Sequence, residues 1–298
     1  MEKIIECVPN FSEGRNLDTI EKIVDSFRGK DKVKLLDYQT DKDHNRMVVT
    51  VVGEPAALIT TVIEAVGVAI QLIDMRTHQG QHPRMGAVDV VPFIPIKNLS
   101  MAEAVDISKR AGKEVFDKYQ LPIYLYAESA TRPDRQDLAN IRKGEFEKMA
   151  EKIRRPEWKP DFGGDEIHPT AGVTAIGARM PLVAFNVNLD TDNLNIADQI
   201  AKRVRHTGGG LRYCKGIGIE LKDRGLVQVS MNMTDFTKTA LYRAMELIRI
   251  EARQHGVNVV GSEIVGLVPM EALIDSAAYY LGLEDFSMEQ VLEARIME

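Results

Sequence analysis

The chain has 298 residues, 44% hydrophobic and 28% charged, with a formal net charge of -6. That is enough for one large or two medium domains with a core of useful size. The acidic balance argues against wholesale nucleic-acid binding while leaving room for local basic pockets, and 6% aromatic residues do not favour a base-stacking RNA module. The only cysteines, Cys7 and Cys214, give no disulfide framework and suit a reducing cytoplasm. MEKIIECVPNFSEG lacks the apolar run of a signal peptide, and no stretch reaches the roughly 20 apolar residues that span a bilayer. The expectation is a cytoplasmic protein with no membrane and no nucleic-acid partner.

In chain order, 3–8 reads as a strand and Pro9–Arg15 as a polar loop. Ile20, Ile23, Val24 and Phe27 form a helical stripe in 17–27. Residues 33–38 and 47–52 read as a hairpin around the polar turn 40–45, and 54–73 as a long helix with Pro55 in its first turn. A strand is expected at 88–96. A helix is expected at 100–119, opened by a Ser100–Glu103 capping box, then a buried strand at 123–126. The highly charged 132–152 is expected to be helical in parts with a solvated face. Arg154–Thr170, with Pro156, Pro160, Pro169, Trp158 and Gly163-Gly164, cannot be regular structure and is a candidate boundary. Strands follow at 174–178 and 182–188, a helix at 193–205, a basic turn at 206–213 and a hairpin at 217–231. Helix 236–255, strand 257–267 and helices 270–281 and 288–297 complete the chain.

Asp74–Pro95, DMRTHQGQHPRMGAVDVVPFIP, concentrates His78, His82, Arg76, Arg84, Gly80 and Gly86 in one connection. The i, i+4 spacing of the histidines would share one face of a helix, but Gly80 and Pro83 exclude one. A loop presenting imidazole and guanidinium groups at the start of a strand suits chemistry. The same groups could merely fix the turn. A zinc site is disfavoured: only Asp74 and Asp89 lie near in sequence, and no HExxH or CxxC is present.

The order hairpin, helix, strand, helix occurs twice, at 33–119 and 217–281. It predicts two similar α/β (α+β) subdomains of the ferredoxin-like, split βαβ type, each an antiparallel-rich sheet with helices on one face. The subdomains are expected at 1–178 and 179–298.

Several stretches then name a family: ECVPNFSEG at 6–14, NR at 45–46, QLIDMRTHQGQHPRMGAVDVVPFIP at 71–95, WKPDFGG at 158–164, GARMPLVAFNVNL at 177–189, GIGIELKDRGLVQVSMNMTDF at 216–236 and VVGSEIVGLVPMEAL at 259–273. The chain resembles the glutamate formimidoyltransferase family, the formiminotransferase domain of formiminotransferase-cyclodeaminase in stand-alone form. The resemblance implies a homodimer that transfers the formimino group from N-formimidoylglutamate to N5 of tetrahydrofolate in histidine breakdown. Tetrahydrofolate, with or without a polyglutamate tail, is then a co-substrate; the lack of a recognisable ligand set adds the expectation that no metal is needed. The cyclodeaminase part of the animal enzyme is absent from the sequence. The family's catalytic histidine falls on His82. Its folate segment falls on Gly163, Gly164, Asp165, Glu166, Ile167, His168, Pro169, Thr170, Ala171 and Gly172. Animal members carry an aromatic residue at the position of Ala171.

In such a transfer one nitrogen loses a proton and another gains one. A single imidazole with a pKa near neutrality can do both, and His82 fits, with His78, Arg84 and Asp89 as candidates for orienting it. Both substrates carry carboxylates, for which Arg46, Arg84, Arg205, Arg212 and Lys215 are candidates. Gly208–Gly210 could offer N–H groups to an anion, and Phe162 and His168 could flank a pterin. The acidic pair Asp165-Glu166 would repel a folate tail, so this segment is expected to hold the pterin end. The alternatives are formyl transfer between 5-formyltetrahydrofolate and glutamate, a metal-dependent hydrolase using His78, His82 and Asp89, and a ferredoxin-like binding module.

Overall fold

Residues 2–296 are described by a computed structural model. They fall into two units, Met1–Arg179 and Met180–Glu298. The first contains β1 (Ile4–Cys7), β2 (Asn10–Phe11), α1 (Leu17–Asp25), β3 (Val33–Asp41), β4 (Arg46–Gly53), α2 (Pro55–Leu72), β5 (Val88–Lys97), α3 (Met101–Tyr119), β6 (Ile123–Ala127), α4 (Leu138–Arg142), α5 (Glu145–Lys152) and β7 (Thr174–Ala178). The second contains β8 (Val183–Leu189), α6 (Leu194–Val204), β9 (Cys214–Leu221), β10 (Leu226–Met233), α7 (Leu241–Gln254), β11 (Val259–Val265), α8 (Met270–Leu281) and α9 (Leu292–Ile296).

In the first unit β1 and β2 both lie between β4 and β5, and β3 pairs with β4 on its other side. Pro9 donates no ladder hydrogen bond, so it divides what would be one strand into two. The Pro9 carbonyl still accepts from Val49 N at 3.0 Å. Alternation puts Ile5, Cys7, Met47, Val49 and Val51 on the face covered by α1, α2 and α3. α2 begins at Pro55, whose missing N–H is no loss at a first turn, and the Glu54 side chain caps Ala57 N. Among the described residues α2 is the one helix long and apolar enough to cross a membrane, and 50% of that span is buried in the unit. The Ser100–Glu103 capping box opens α3.

The second sheet runs β11-β8-β10-β9, all antiparallel. Matching β8, β9, β10 and β11 to β1, β3, β4 and β5 gives the same order, so both units carry a split βαβ core. Val183, Phe185, Val187 and Leu189 interleave with Val227, Val229, Met231 and Met233 in its apolar centre.

Four details depart from the sequence reading. The 9–15 loop contains the short strand β2. Helix α7 starts at Leu241 rather than Phe236, because the Asp235 carboxylate takes the Thr237 N–H and hydroxyl (3.2 and 2.6 Å) and holds a turn there. The terminal helix is a 3-10 turn at Met288–Gln290 followed by α9, and Met297 lies outside the described residues. Helices are also not confined to one face. β7 and β6 extend the first sheet in parallel beyond β5, and Ile141, Met149 and Ile153 cover their second face against Tyr124, Tyr126 and Ala175.

The irregular 154–170 stretch belongs inside the first unit. Phe162 packs into its core, and the Ile123 N–H donates to the Phe162 carbonyl at 2.8 Å. The Arg135–Asp161 pair, 2.8 Å apart and nearly buried, anchors it to the 132–135 turn.

Candidate active site

The connection from α2 to β5 is irregular, as Gly80 and Pro83 require, and one side chain fixes its path. Asn45 sits in the left-handed region (φ 49°), which Asn tolerates better than most residues. Its Oδ1 accepts from Gly14 N at 2.9 Å, its Nδ2 donates to the Gln79 carbonyl at 2.9 Å, and its own carbonyl accepts from His78 Nε2 at 3.0 Å. One buried amide thus ties together the ECVPNFSEG loop, the β3–β4 turn and the histidine loop. Gly80 allows the approach: a Cβ there would lie 2.2 Å from the His44 carbonyl oxygen.

His78 and Arg84 fix this loop. Arg84 is buried and donates to Glu145 (2.7 Å), twice to Glu147 (3.0 and 2.6 Å) and, through Nε, to His78 Nδ1 (3.2 Å). A guanidinium only donates, so His78 Nδ1 is an acceptor and the ring proton sits on Nε2, facing the Asn45 carbonyl. Burial, with the Arg84 charge nearby, lowers the His78 pKa and keeps the ring neutral. Arg84, with both carboxylates in place, has no fork left for a substrate.

His82 stands apart from that cluster. Its Nε2 lies 2.6 Å from Arg46 NH1. The guanidinium donates, so this nitrogen accepts and the imidazole is neutral. Its pKa is pushed down to about 3, first by burial, then by the charges of Arg46 and Arg142. The near-neutral imidazole expected from sequence is therefore not the resting state of this site. Asp89 does not orient His82 directly. Its Oδ1 accepts from Met85 N (2.9 Å) and its Oδ2 from both Arg142 Nε (2.8 Å) and NH2, so it holds Arg142 beside the histidine.

Arg142 is the last residue of α4. The Lys152 ammonium caps that helix by donating to the carbonyls of Asn140, Ile141 and Lys143 (2.7, 2.7 and 3.1 Å). The His44 ring meets His82 edge to face with centroids 6.1 Å apart. His44 Nδ1 is itself bound to Asp41 at 2.5 Å. Sequence reasoning missed Arg142, His44 and Asp41. The first sat in a charge run read as solvated, and the other two in a turn read only as polar.

The Gly163–Gly172 segment ends against the histidine loop. Thr170 O accepts from Met75 N (2.8 Å), Ala171 O from Ala87 N (2.9 Å), and Met85 O from Val173 N (3.1 Å). A Cβ at Gly86 would lie 2.1 Å from the Val173 carbonyl, so only glycine permits this contact. Gly163, Gly164, Asp165, Glu166 and Pro169 are exposed, Thr170 is half-buried, and Ile167 packs against the Tyr124 cluster. His168 pairs with Gly172 through backbone bonds of 2.9 and 3.0 Å, while its Nδ1 accepts from Ala171 N at 3.0 Å. Ala171 is fully buried in the core. Phe162 is likewise packed inward rather than presented.

Arg205, Arg212 and Lys215 belong to the second unit. Arg205 donates to the Gly216 carbonyl (3.2 Å), and Arg212 lies over the Tyr213 ring (5.6 Å). The N–H groups of Gly208, Gly209 and Gly210 are spent on the Arg205 and His206 carbonyls at 3.0–3.1 Å, so that run is a turn. No group of three or more His, Cys, Asp or Glu side chains able to hold a metal occurs among the described residues.

A half-buried neutral imidazole beside two guanidiniums, on a loop locked at three points, is equipped for proton transfer next to an anionic substrate. Comparison with known proteins identifies the family. Residues 4–179 match the formiminotransferase domain, N-terminal subdomain, and residues 184–297 match the formiminotransferase domain. A glutamate formimidoyltransferase of Streptococcus pyogenes serotype M1 is 54% identical over 298 residues, covering 100% of both chains. One from Thermoplasma acidophilum is 46% identical, covering 98% of this chain and 97% of its own. The formimidoyltransferase-cyclodeaminase of Rattus norvegicus is 43% identical, with 100% of this chain matched to 56% of that protein. The chain belongs to the formiminotransferase family.

Proposed function

We infer that this protein transfers the formimino group from N-formimidoyl-L-glutamate to N5 of tetrahydrofolate, giving 5-formimidoyltetrahydrofolate and glutamate. The observation that carries this is the family match across both units, with stand-alone glutamate formimidoyltransferases matched over nearly their whole length. In the reaction N5 attacks the formimino carbon, forming a tetrahedral centre bonded to both nitrogens. N5 gives up its proton, the bond from carbon to the glutamate nitrogen breaks, and that nitrogen gains a proton. His82 is the group we assign to carry the proton. It is the one loop histidine not committed to holding the loop, and guanidiniums adjoin it.

The pterin end of the folate is assigned to Gly163–Gly172. What supports this is the exposed run 163–166 and the backbone ladder joining 170–173 to the histidine loop. The reading includes a homodimer, for which exposed Leu273, Leu281, Leu283, Leu292 and Ile296 offer apolar surface. It also includes a reducing cytoplasm, which suits two free buried cysteines. Formyl transfer, metal-dependent hydrolysis and a binding module gain no support.

The test is product analysis with purified protein, tetrahydrofolate and N-formimidoylglutamate carrying 13C in the formimino group. The label should appear on N5 with one glutamate released per transfer. Unreacted donor, under conditions where a known family member is active, would overturn the reading.

A further inference from the structure

The charges beside His82 do not balance. Arg46 opens β4. Since Met47, Val49 and Val51 face the helices, alternation turns Arg46 to the opposite face. Two guanidiniums, Arg46 and Arg142, adjoin His82 there. The one buried carboxylate at hand, Asp89, is bound to Arg142 and to the Met85 N–H. Asp41, the other carboxylate nearby, takes the His44 ring and the N–H groups of Asp43 and His44 (2.9 and 2.8 Å). Arg46 makes no ion pair among the described residues, and its one side-chain hydrogen bond among them goes to His82 Nε2, at 2.6 Å.

A half-buried guanidinium beside a neutral imidazole is poorly compensated, and a planar fork is best satisfied by a carboxylate. The same hydrogen bond occupies the lone pair that a base needs. We propose that Arg46 is the seat of a substrate carboxylate, and that a carboxylate drawing the guanidinium away frees Nε2 of His82 to take the proton from the reacting nitrogen. The ligand class is an aliphatic carboxylate of the kind glutamate carries. It deepens, and rests on, the formimino-transfer reading.

The low His82 pKa supports the coupling. Two of its causes are the Arg46 and Arg142 charges, so an anion placed between them would favour the imidazolium. The groups facing His82 are Arg46 on β4, His44 at the β3–β4 turn and Arg142 on α4, with Asp41 acting through His44 and Asp89 on β5 through Arg142. Of these, only Arg46 combines a bond to the imidazole with no carboxylate of its own. The base would thus be silent in the empty site and competent in the filled one.

The carboxylate could come from the donor or from the folate tail. The test is NMR titration of ring-labelled histidines in the whole chain, free and with L-glutamate, tetrahydrofolate or tetrahydropteroate, which lacks the glutamate tail. Saturating glutamate should raise the proton affinity of His82 about tenfold or more, roughly one pKa unit. A rise with tetrahydrofolate but not with glutamate or tetrahydropteroate would support the same seat with the folate tail as occupant. No rise with either carboxylate ligand, or an equal rise with tetrahydropteroate, would overturn it.

Arg46→Gln adds a readout that a merely structural role would not give. Free His82 should become more basic in this variant and insensitive to the ligand that moves it in the wild type, while KM for the substrate carrying that carboxylate, donor or folate, rises about tenfold or more. Arg46→Lys, which keeps the charge without the fork, guards against misfolding and should fall between the two. If glutamate moves His82 but no formimino group is ever transferred, the functional reading fails and the carboxylate seat stands. Normal transfer with an unmoved His82 does the reverse.

Discussion

The α2–β5 connection of the first unit and the α7–β11 connection of the second occupy the same place in two similar folds, yet they differ in everything else. The first spans residues 73–87, carries His78, His82 and Arg84, and is pinned by Asn45 and by 170–173. The second spans residues 255–258 and turns on Gly256 at φ 67°, with nothing within 4 Å of where a Cβ would be. The hairpin turns differ likewise. In the first, His44, Asn45 and Arg46 all meet the histidine loop or His82, and Asp41 holds His44. In the second, Lys222–Arg224 form an exposed 3-10 turn closed by Gly225. The split βαβ frame is common to both units, and our assignment puts the chemistry in the loops of one copy.

The largest effect expected from breaking this contrast is on Asp89. Asp89→Ala leaves Arg142 without its partner and Met85 N–H without an acceptor, and loss of one partner from a buried pair costs about 3–5 kcal/mol. The exposed Asp223 of the second unit's turn should change stability by no more than about 0.5 kcal/mol when made Asn. Urea unfolding followed by Trp158, the only tryptophan and a residue of the first unit, checks the first variant, and circular dichroism the second. Next in size, Gly86→Ala must part the loop from 170–173 and should cost about 2–3 kcal/mol, the scale of overpacking a tight contact. Gly256→Ala only strains one residue at positive φ, about 1 kcal/mol. Equal effects at the two glycines would erase the distinction between a pinned and an open loop.

Acid should also act on the first unit. His78 and His82 have folded pKa values below the unfolded value of about 6.5. Below pH about 6.5 the unfolded chain binds protons that the folded chain refuses, so their contribution is whole above that pH and is lost as pH falls toward about 3. The urea midpoint reported by Trp158 should drop between pH 7.5 and 5.5, and drop less in His82→Asn. A midpoint that rises on acidification would contradict the neutral-imidazole site. The smallest expected effect is none: transferase activity should survive dialysis against EDTA, and loss restored by zinc would bring metal chemistry back.

Much of this was legible in the chain. Period-two and helical patterns located the hairpins and α2, Ser100 and Glu103 announced α3, and Gly80 with Pro83 marked the loop before β5. The partners of that loop were not legible. Arg142 reaches Asp89 from 53 residues away, and Glu145 and Glu147 reach Arg84 from 61 and 63. Ion pairs at such separations leave no local period. In 132–152 the charges that turn inward look the same as those that face water. The resting state of His82 was hidden for the same reason, since its pKa is depressed first by burial and then by guanidiniums that come from β4 and α4.

The central claim is that proton transfer in this protein runs through the one loop imidazole not spent on structure. The most direct test is the turnover of His82→Ala with N-formimidoylglutamate and tetrahydrofolate, beside a circular dichroism melt of the same preparation. We expect turnover to fall about a hundredfold or more, the usual scale for loss of a general acid–base group, with the variant still folded and its melt lowered by no more than the loss of the Arg46 hydrogen bond, about 1–3 kcal/mol. Turnover within a factor of a few of wild type, from a folded variant, would contradict the claim.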